Sequence, residues 1–466
     1  MNIGRTILLW IFVLVSTSAW SNVFVQWTGG AFPPAKELGM NDLVLSWNDS
    51  FSSQAKEARK QGYRVYVMTP FHQAQTATEA VASGVEGVIL SVRQSERAEL
   101  EKSLPKLQAA NPKIRFLVLN PDGKQPQMRG SLVIKRDSVL EVSSPTAQPW
   151  IDTNLALVKV EQRSHQGQVP LYTFSWNEPS DGEQKPILSA ADYSLAIAEA
   201  GAFHADFILR PDENLQKALS EHNAGAWTLW NQVRTYANFY SNPAEQGMEP
   251  AANVAVVLDN LDPSDEVMNL LARHNLPFKA LGRSDLDREE LEGYDVVIVF
   301  AKPDQTTSKR IFDLATHGKT VILVDADGVY PWQSRDAVRV NEHTLSYTLG
   351  SGKVLELSEP VTDPETFAQD IRRLLGKENA LISLWNGLTT IAVPYRDAGT
   401  LKTLELINYA EEPLRVQVQV KGAFASVRYE TPERKCCESL EATQHDGFTE
   451  FVLPDLRIAG RVHLNR

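Results

Sequence analysis

Two short words in the chain nearly repeat: Ser46-Trp47-Asn48-Asp49 and Ser175-Trp176-Asn177-Glu178. Each closes an apolar run that reads as a buried strand, Asp42 to Leu45 and Pro170 to Phe174. Each sets a carboxylate beside an indole and an amide where strand gives way to loop. An indole face stacks on a sugar ring, an amide binds hydroxyls, and a carboxylate moves protons. Residues of the same types follow other expected strands: Trp27, and Trp150, Asp152 and Asn154 in Pro149-Trp150-Ile151-Asp152-Thr153-Asn154. The pattern points to carbohydrate as the partner.

Glycosidic cleavage needs two carboxyl groups, roughly 5–5.5 Å apart for retention and roughly 6.5–9.5 Å apart for inversion. Glu178 is the leading carboxylate, because Pro179 behind it favours extended backbone at 178 and stops a helix starting there. Asp152 is the leading partner, since its strand is expected to adjoin that of Glu178. The expected substrate-binding residues are Trp27, Trp47, Asn48, Asp49, Trp150, Asn154, Trp176 and Asn177. Each candidate has a plainer alternative. Indoles can cap a core beneath folded loops. Asp152 can sit in the N-cap region of a helix near Asn154. Asp49 and Ser50 can cap a helix from Ser52, and Glu178 can be an exposed loop acid. Asp122 lies in a turn signature, Asn120-Pro121-Asp122-Gly123. Asp212 and Glu213 suit the start of a helix, where acids meet the positive end of the dipole. His72 stands alone.

These residues need a scaffold that gathers strand ends. From Asn22 to about Ser241, strands alternate with helical stretches. The strands read as Val23–Trp27, Asp42–Trp47, Arg64–Thr69, Gly87–Val92, Arg115–Asn120, Val139–Ser143, Pro170–Trp176 and Asp206–Leu209. Helical periodicity lies between them at Ser52–Gln61, Glu96–Ala110, Asn154–His165 and Ala190–Phe203. Eight units predict a (β/α)8 TIM barrel over 22–241, with function at the C-terminal strand ends. Ser131–Arg136 is expected as a strand outside the barrel, hairpinned onto the sixth. One long aromatic helix, Asn214 to Tyr240, is expected to close it. A linker at 242–252 precedes a flavodoxin-like α/β domain over 253–380. That domain lacks a Gly-x-Gly-x-x-Gly turn, so no nucleotide cofactor is expected. Short alternating strands over 381–466 predict an antiparallel β-sandwich.

The formal net charge of −12 argues against nucleic acid as a partner. Arg5 precedes an apolar run, Ile7 to Val15, and Ala19 and Ser21 stand at −3 and −1 of a cut before Asn22. This predicts a signal peptide over 1–21 and a periplasmic or extracellular protein. The two cysteines, Cys436 and Cys437, offer no disulfide framework, and free thiols are expected. No spacing suggests a metal site or any cofactor. No Gly-x-Ser-x-Gly elbow suggests a serine hydrolase.

The order of domains and the Trp-Asn-Glu strand end together resemble the multidomain bacterial β-galactosidases and their relatives. The resemblance implies a middle domain that mediates homo-oligomer contacts. It also implies an acid/base glutamate, typically in an Asn-Glu pair, after strand four, and a nucleophilic glutamate after strand seven. Glu178 follows the expected seventh strand and matches the nucleophile. Strand four ends Ser91-Val92-Arg93-Gln94-Ser95-Glu96, with no Asn-Glu. Two functions follow. One is an exported glycoside hydrolase acting on an oligo- or polysaccharide through Glu178 and a second carboxylate. The other is a catalytically degenerate barrel that binds carbohydrate or serves in assembly.

Overall fold

A computed structural model describes residues 23–466 except 82–83, 120–126, 129–132, 137–138, 143–154, 165–170, 174, 177–187, 242–247, 260–263, 287–290, 411 and 435. Seven parallel strands close into a barrel: β1 (Val23–Gln26), β2 (Asp42–Ser46), β3 (Arg64–Pro70), β4 (Gly87–Ser91), β5 (Arg115–Leu119), β6 (Leu171–Thr173) and β7 (Asp206–Leu209). They stand in chain order, and β7 returns beside β1. The expected sixth strand is not part of this wall. Val139–Val142 pairs antiparallel with Val133–Arg136 in a separate hairpin, so seven barrel strands are found among the described residues where eight were expected.

Alternation along each strand sorts the side chains into two environments. Phe24, Val44, Tyr66, Ile89, Leu117, Leu171 and Ile208, one from each strand, fill the lumen. Their neighbours, among them Val25, Leu43, Val65, Leu90, Phe116, Tyr172 and Phe207, pack outward against the helices. The lumen is thus a packed layer rather than a pore, as expected for such barrels. Two residues below it, Arg64 pairs with Asp42 at 2.6 Å and Arg115 with Asp206 at 3.3 Å. Those ion pairs lie at the N-terminal end of the barrel.

The expected single helix after β7 is two helices, Glu213–Ser220 and Ala224–Tyr240. His222 takes a left-handed φ of 57°, and the Asn223 side chain accepts the Ala226 N–H at 3.1 Å. That cap starts a new helix in a new direction.

The middle sheet contains β8 (Val254–Val257), β9 (Phe278–Leu281), β10 (Val296–Val299), β11 (Thr320–Leu323), β12 (Ala337–Asn341), β13 (Thr344–Leu349) and β14 (Gly352–Leu357), in the order β9-β8-β10-β11-β14-β13-β12. The first five are parallel and the last two join antiparallel. Near-continuous apolar runs such as Val296–Val299 suit strands covered on both faces. One face packs in the cluster shared with the barrel helices, and the other forms its own core around Trp332.

The C-terminal region forms two antiparallel sheets around Leu404, Val418, Tyr429, Phe451 and Val462. One sheet has six strands and the other four. Glu249–Pro250, within the expected linker, pairs with Tyr395 and Arg396 and extends the larger sheet. Among the described residues, no helix is long and apolar enough to cross a membrane.

Candidate functional site at the barrel mouth

The strand pleat decides which side chains can meet a ligand at the C-terminal mouth. Two residues beyond the apolar lumen layer stand Gln26, Ser46, Met68, Ser91, Leu119 and Thr173, and position 210 continues β7 by the same count. Pro211 favours extended backbone at Arg210, which prolongs the strand direction. Ser91 and Arg210 are exposed, Ser46 and Thr173 half-buried, and Gln26 buried. The Thr173 hydroxyl donates to the Ile208 carbonyl at 2.8 Å. None of these seven positions carries a carboxylate.

The indoles of the expected cleft fall on the other side of the wall. Trp27 follows the outward parity of Val25, is 2% exposed and donates Nε1–H to the Ala31 carbonyl at 3.0 Å. It packs beside Phe32 and offers no open face, so its expected role in sugar stacking is corrected to a core one. Trp47 follows the outward parity of Leu45 and packs half-buried against Phe51, ring centroids 5.4 Å apart. It too braces a helix to the wall. Asn48 Oδ1 accepts from the Ser50 N–H at 2.9 Å and the Ser50 hydroxyl at 2.6 Å. Asn48, rather than Asp49, therefore shapes the turn into the helix Phe51–Lys60. Asp49 is exposed in that turn. Trp27 lies at the end of β1 and the other three at the end of β2, the two indoles on the outer wall and Asn48 and Asp49 in a turn.

Glu178, Asp152, Trp150, Asn154 and Asn177, with Asp122, lie outside the described residues. Of Trp176 only the backbone is described. Ser175–Trp176 pairs parallel with Gln127–Met128 in a two-stranded sheet apart from the barrel. The expected strand Pro170–Trp176 therefore divides, and only Leu171–Thr173 belongs to the wall.

Two described acids near the mouth, Glu96 and Asp212, have local duties. Glu96 Oε2 accepts the Arg93 N–H at 2.9 Å and closes the turn after β4. Asp212 accepts the Leu215 N–H at 2.9 Å, capping Glu213–Ser220, and the Tyr193 hydroxyl bonds its carboxylate at 3.2 Å. Burial, then the Asp212 charge, push the Tyr193 hydroxyl above its ordinary range. Gln216 reaches back across the mouth, accepting from the Thr28 N–H at 2.9 Å and the Gly29 N–H at 3.2 Å. It fixes the loop that follows β1. His72 is exposed.

Far from the mouth, Glu430, Cys436, Cys437 and His463 bring donor atoms within 4.8 Å of one another. Sequence spacing does not disclose this cluster. Glu430 Oε1 is already held by Arg461 at 3.1 Å and His463 at 3.1 Å, so the carboxylate is committed. Cys436 and Cys437 are joined to each other, which corrects the expectation of free thiols. Adjacency in the chain keeps the two sulfurs together.

No family model matches the chain, and no curated protein matches it in sequence. Solved structures do match in fold. An α-L-fucosidase isoenzyme 2 from Paenibacillus thiaminolyticus is 11% identical, with a TM-score of 0.60 over 96% of this chain and 99% of that one. A catalytic mutant of a family-42 β-galactosidase from G. stearothermophilus is 9% identical, with a TM-score of 0.58 over 96% and 99%. A β-galactosidase from Rahnella sp. R3 is 10% identical, with a TM-score of 0.53 over 94% and 99%. The fold is glycoside-hydrolase-like. The likeness spans barrel, middle sheet and sandwich together.

Gln26, Ser46, Ser91, Thr173 and Arg210 are polar positions at the barrel mouth that the sequence reading did not name. Counting in twos from a lumen position finds them, but both parities of these strands are apolar, so the sequence does not say which position faces the lumen.

Proposed function

We propose that the protein is an exported, carbohydrate-binding member of the glycoside-hydrolase-like architecture, with its ligand held at the C-terminal mouth of the barrel. One observation carries the choice of binding over hydrolysis. At the end of β4, where the resemblance implies an acid/base glutamate, the lumen-side residue is Ser91, and Glu96 is tied to its own turn. Among the described residues the mouth offers hydroxyls, an amide and a guanidinium, groups that recognise sugar and do not protonate a leaving oxygen. Export rests on the leader-like stretch over 1–21, and mass spectrometry of the mature N-terminus checks it. Homo-oligomerisation through the middle domain is part of the same proposal. The edge strand β12 is exposed along its length, with Val338 and Val340 65% and 58% exposed. Light scattering of the purified protein tests that part.

The experiment is a paired assay on one preparation. Binding is measured against a panel of oligosaccharides, and hydrolysis against aryl glycosides and polysaccharides. Binding without turnover is expected. Turnover that Glu178→Gln or Asp152→Asn abolishes would overturn the binding-only reading in favour of the two-carboxylate enzyme.

A further inference from the structure

The barrel wall carries charge at two levels, and the two levels are handled differently. At the N-terminal end, Asp42 and Asp206 neutralise Arg64 and Arg115. At the mouth, Arg210 is the single ionisable residue among the seven lumen-side positions. Its side chain reaches solvent, surrounding protein lowers its pKa by desolvation, and among the described residues it makes no ion pair. In a chain of net charge −12, a cation without an ion-pair partner among the described residues stands out.

Its neighbour supplies a second, independent observation. The β1–β7 register runs Val23 to Phe207, Phe24 to Ile208 and Val25 to Leu209, so the next pair is Gln26 with Arg210. Gln26 is 8% exposed, and its Oε1 has no hydrogen-bond partner among the described residues. A buried amide oxygen without a donor is costly, and native structures fill such a position with a ligand or water. Gln26 Oε1 needs a donor, and Arg210 offers a planar fork of donors suited to a carboxylate or sulfate. Ser46 and Ser91 add hydroxyls on the same wall.

We infer that the ligand at this mouth is an anionic glycan, whose acidic group meets Arg210 and whose hydroxyl donates to Gln26. This rests on the carbohydrate-binding reading and narrows it to acidic sugars, those with a carboxylate or sulfate on the ring. A neutral sugar leaves the guanidinium without its counter-charge.

The test uses a matched pair of probes: an oligogalacturonide and the same oligosaccharide after reduction of its carboxyl groups. The full-length mature protein is titrated with each by calorimetry, at low and at moderate salt. The acidic probe is expected to bind at least about tenfold more tightly, with a preference that shrinks as salt screens the charge. A sulfated oligosaccharide in a third arm distinguishes sulfate from carboxylate. Arg210→Gln is expected to bring the affinity for the acidic probe down to that for the reduced one, and Arg210→Lys to keep part of the preference. Gln26→Leu is expected to weaken both probes alike. Equal binding of both probes, or an Arg210→Gln variant that keeps the preference, overturns this inference and leaves the carbohydrate reading standing. No binding of any glycan by a folded protein overturns that reading, and this inference with it.

Discussion

The Tyr409 hydroxyl donates to Glu199 Oε2 at 2.8 Å, joining the end of a sandwich strand to the barrel helix Ala190–Ala202. Glu199 is 1% exposed and Tyr409 6%, so the carboxylate lies where water does not reach and depends on protein donors. Burial, then the Glu199 charge, hold the Tyr409 hydroxyl well above its ordinary range. Tyr409→Phe should cost about 1–3 kcal/mol, because the acid stays buried while a donor is lost. Urea denaturation read by circular dichroism checks it. An unchanged midpoint would show that the bond does not couple the two regions.

Arg461 is the second anchor between sandwich and barrel. Its Nε meets Glu405 Oε1 at 2.5 Å, its Nη1 meets Glu430, and its guanidinium lies 4.6 Å from the Phe239 ring centre. Arg461 and Glu405 are 3% and 0% exposed at their side chains. Arg461→Met should cost about 3–5 kcal/mol, by stranding a buried carboxylate. Arg461→Lys should recover only part of this, since an ammonium cannot serve both acids in the same geometry. The comparison is again made by urea denaturation, and parental stability in Arg461→Met would contradict it.

His204 makes stability sensitive to acid. Burial first, then the charges of Arg461 and Lys159, push its imidazole down to about 3. It stacks on Tyr395 at 4.0 Å. The folded state holds the ring neutral, whereas the unfolded chain protonates it near 6.5. Its contribution is therefore complete above about pH 6.5 and is lost as pH falls towards 3, up to about 5 kcal/mol by linkage. His204 sits at φ 52°, a conformation that asparagine tolerates. His204→Asn should lower stability at pH 7.5 and flatten the decline between pH 6.5 and 4. A slope identical to the parent's would remove His204 as the cause.

Trp27 separates a stacking platform from a core residue. As a buried brace 2% exposed, Trp27→Ala should cost about 3–5 kcal/mol, with glycan affinity of the surviving folded fraction unchanged. A platform would show the reverse, a stable fold with lost affinity. Thermal melting and calorimetry on the same samples give the answer.

Local pattern carried far into this fold. β7 was legible to the residue at Asp206–Leu209, and β1 to β5 to within about one residue at each end. The reason is that a strand buried on both faces reads as a short, near-continuous apolar run bounded by turn residues. Strand membership was not legible in the same way. Val139–Val142 reads as a strand and is one, yet it belongs to a hairpin. The edge strand Ala337–Asn341 escaped notice because both its faces are exposed and its composition lacks a buried side. The break at Glu221–Asn223 escaped because helical periodicity continues across it, and only the left-handed turn at His222 redirects the chain.

The twin Ser-Trp-Asn-acid words mark the same limit at the site. The sequence by itself determined that indole, amide and carboxylate follow strand ends, and that a barrel precedes an α/β sheet and a sandwich, because composition and period record burial. Only the tertiary structure decided which way each residue faces. Ser46 looks into the barrel mouth, and Trp47, one position on, packs on the outer wall, because successive side chains on a strand point to opposite faces. Closing the sheet then sets Gln26 beside Arg210, 184 positions away in the chain, a neighbour relation that comes from the β1–β7 register alone.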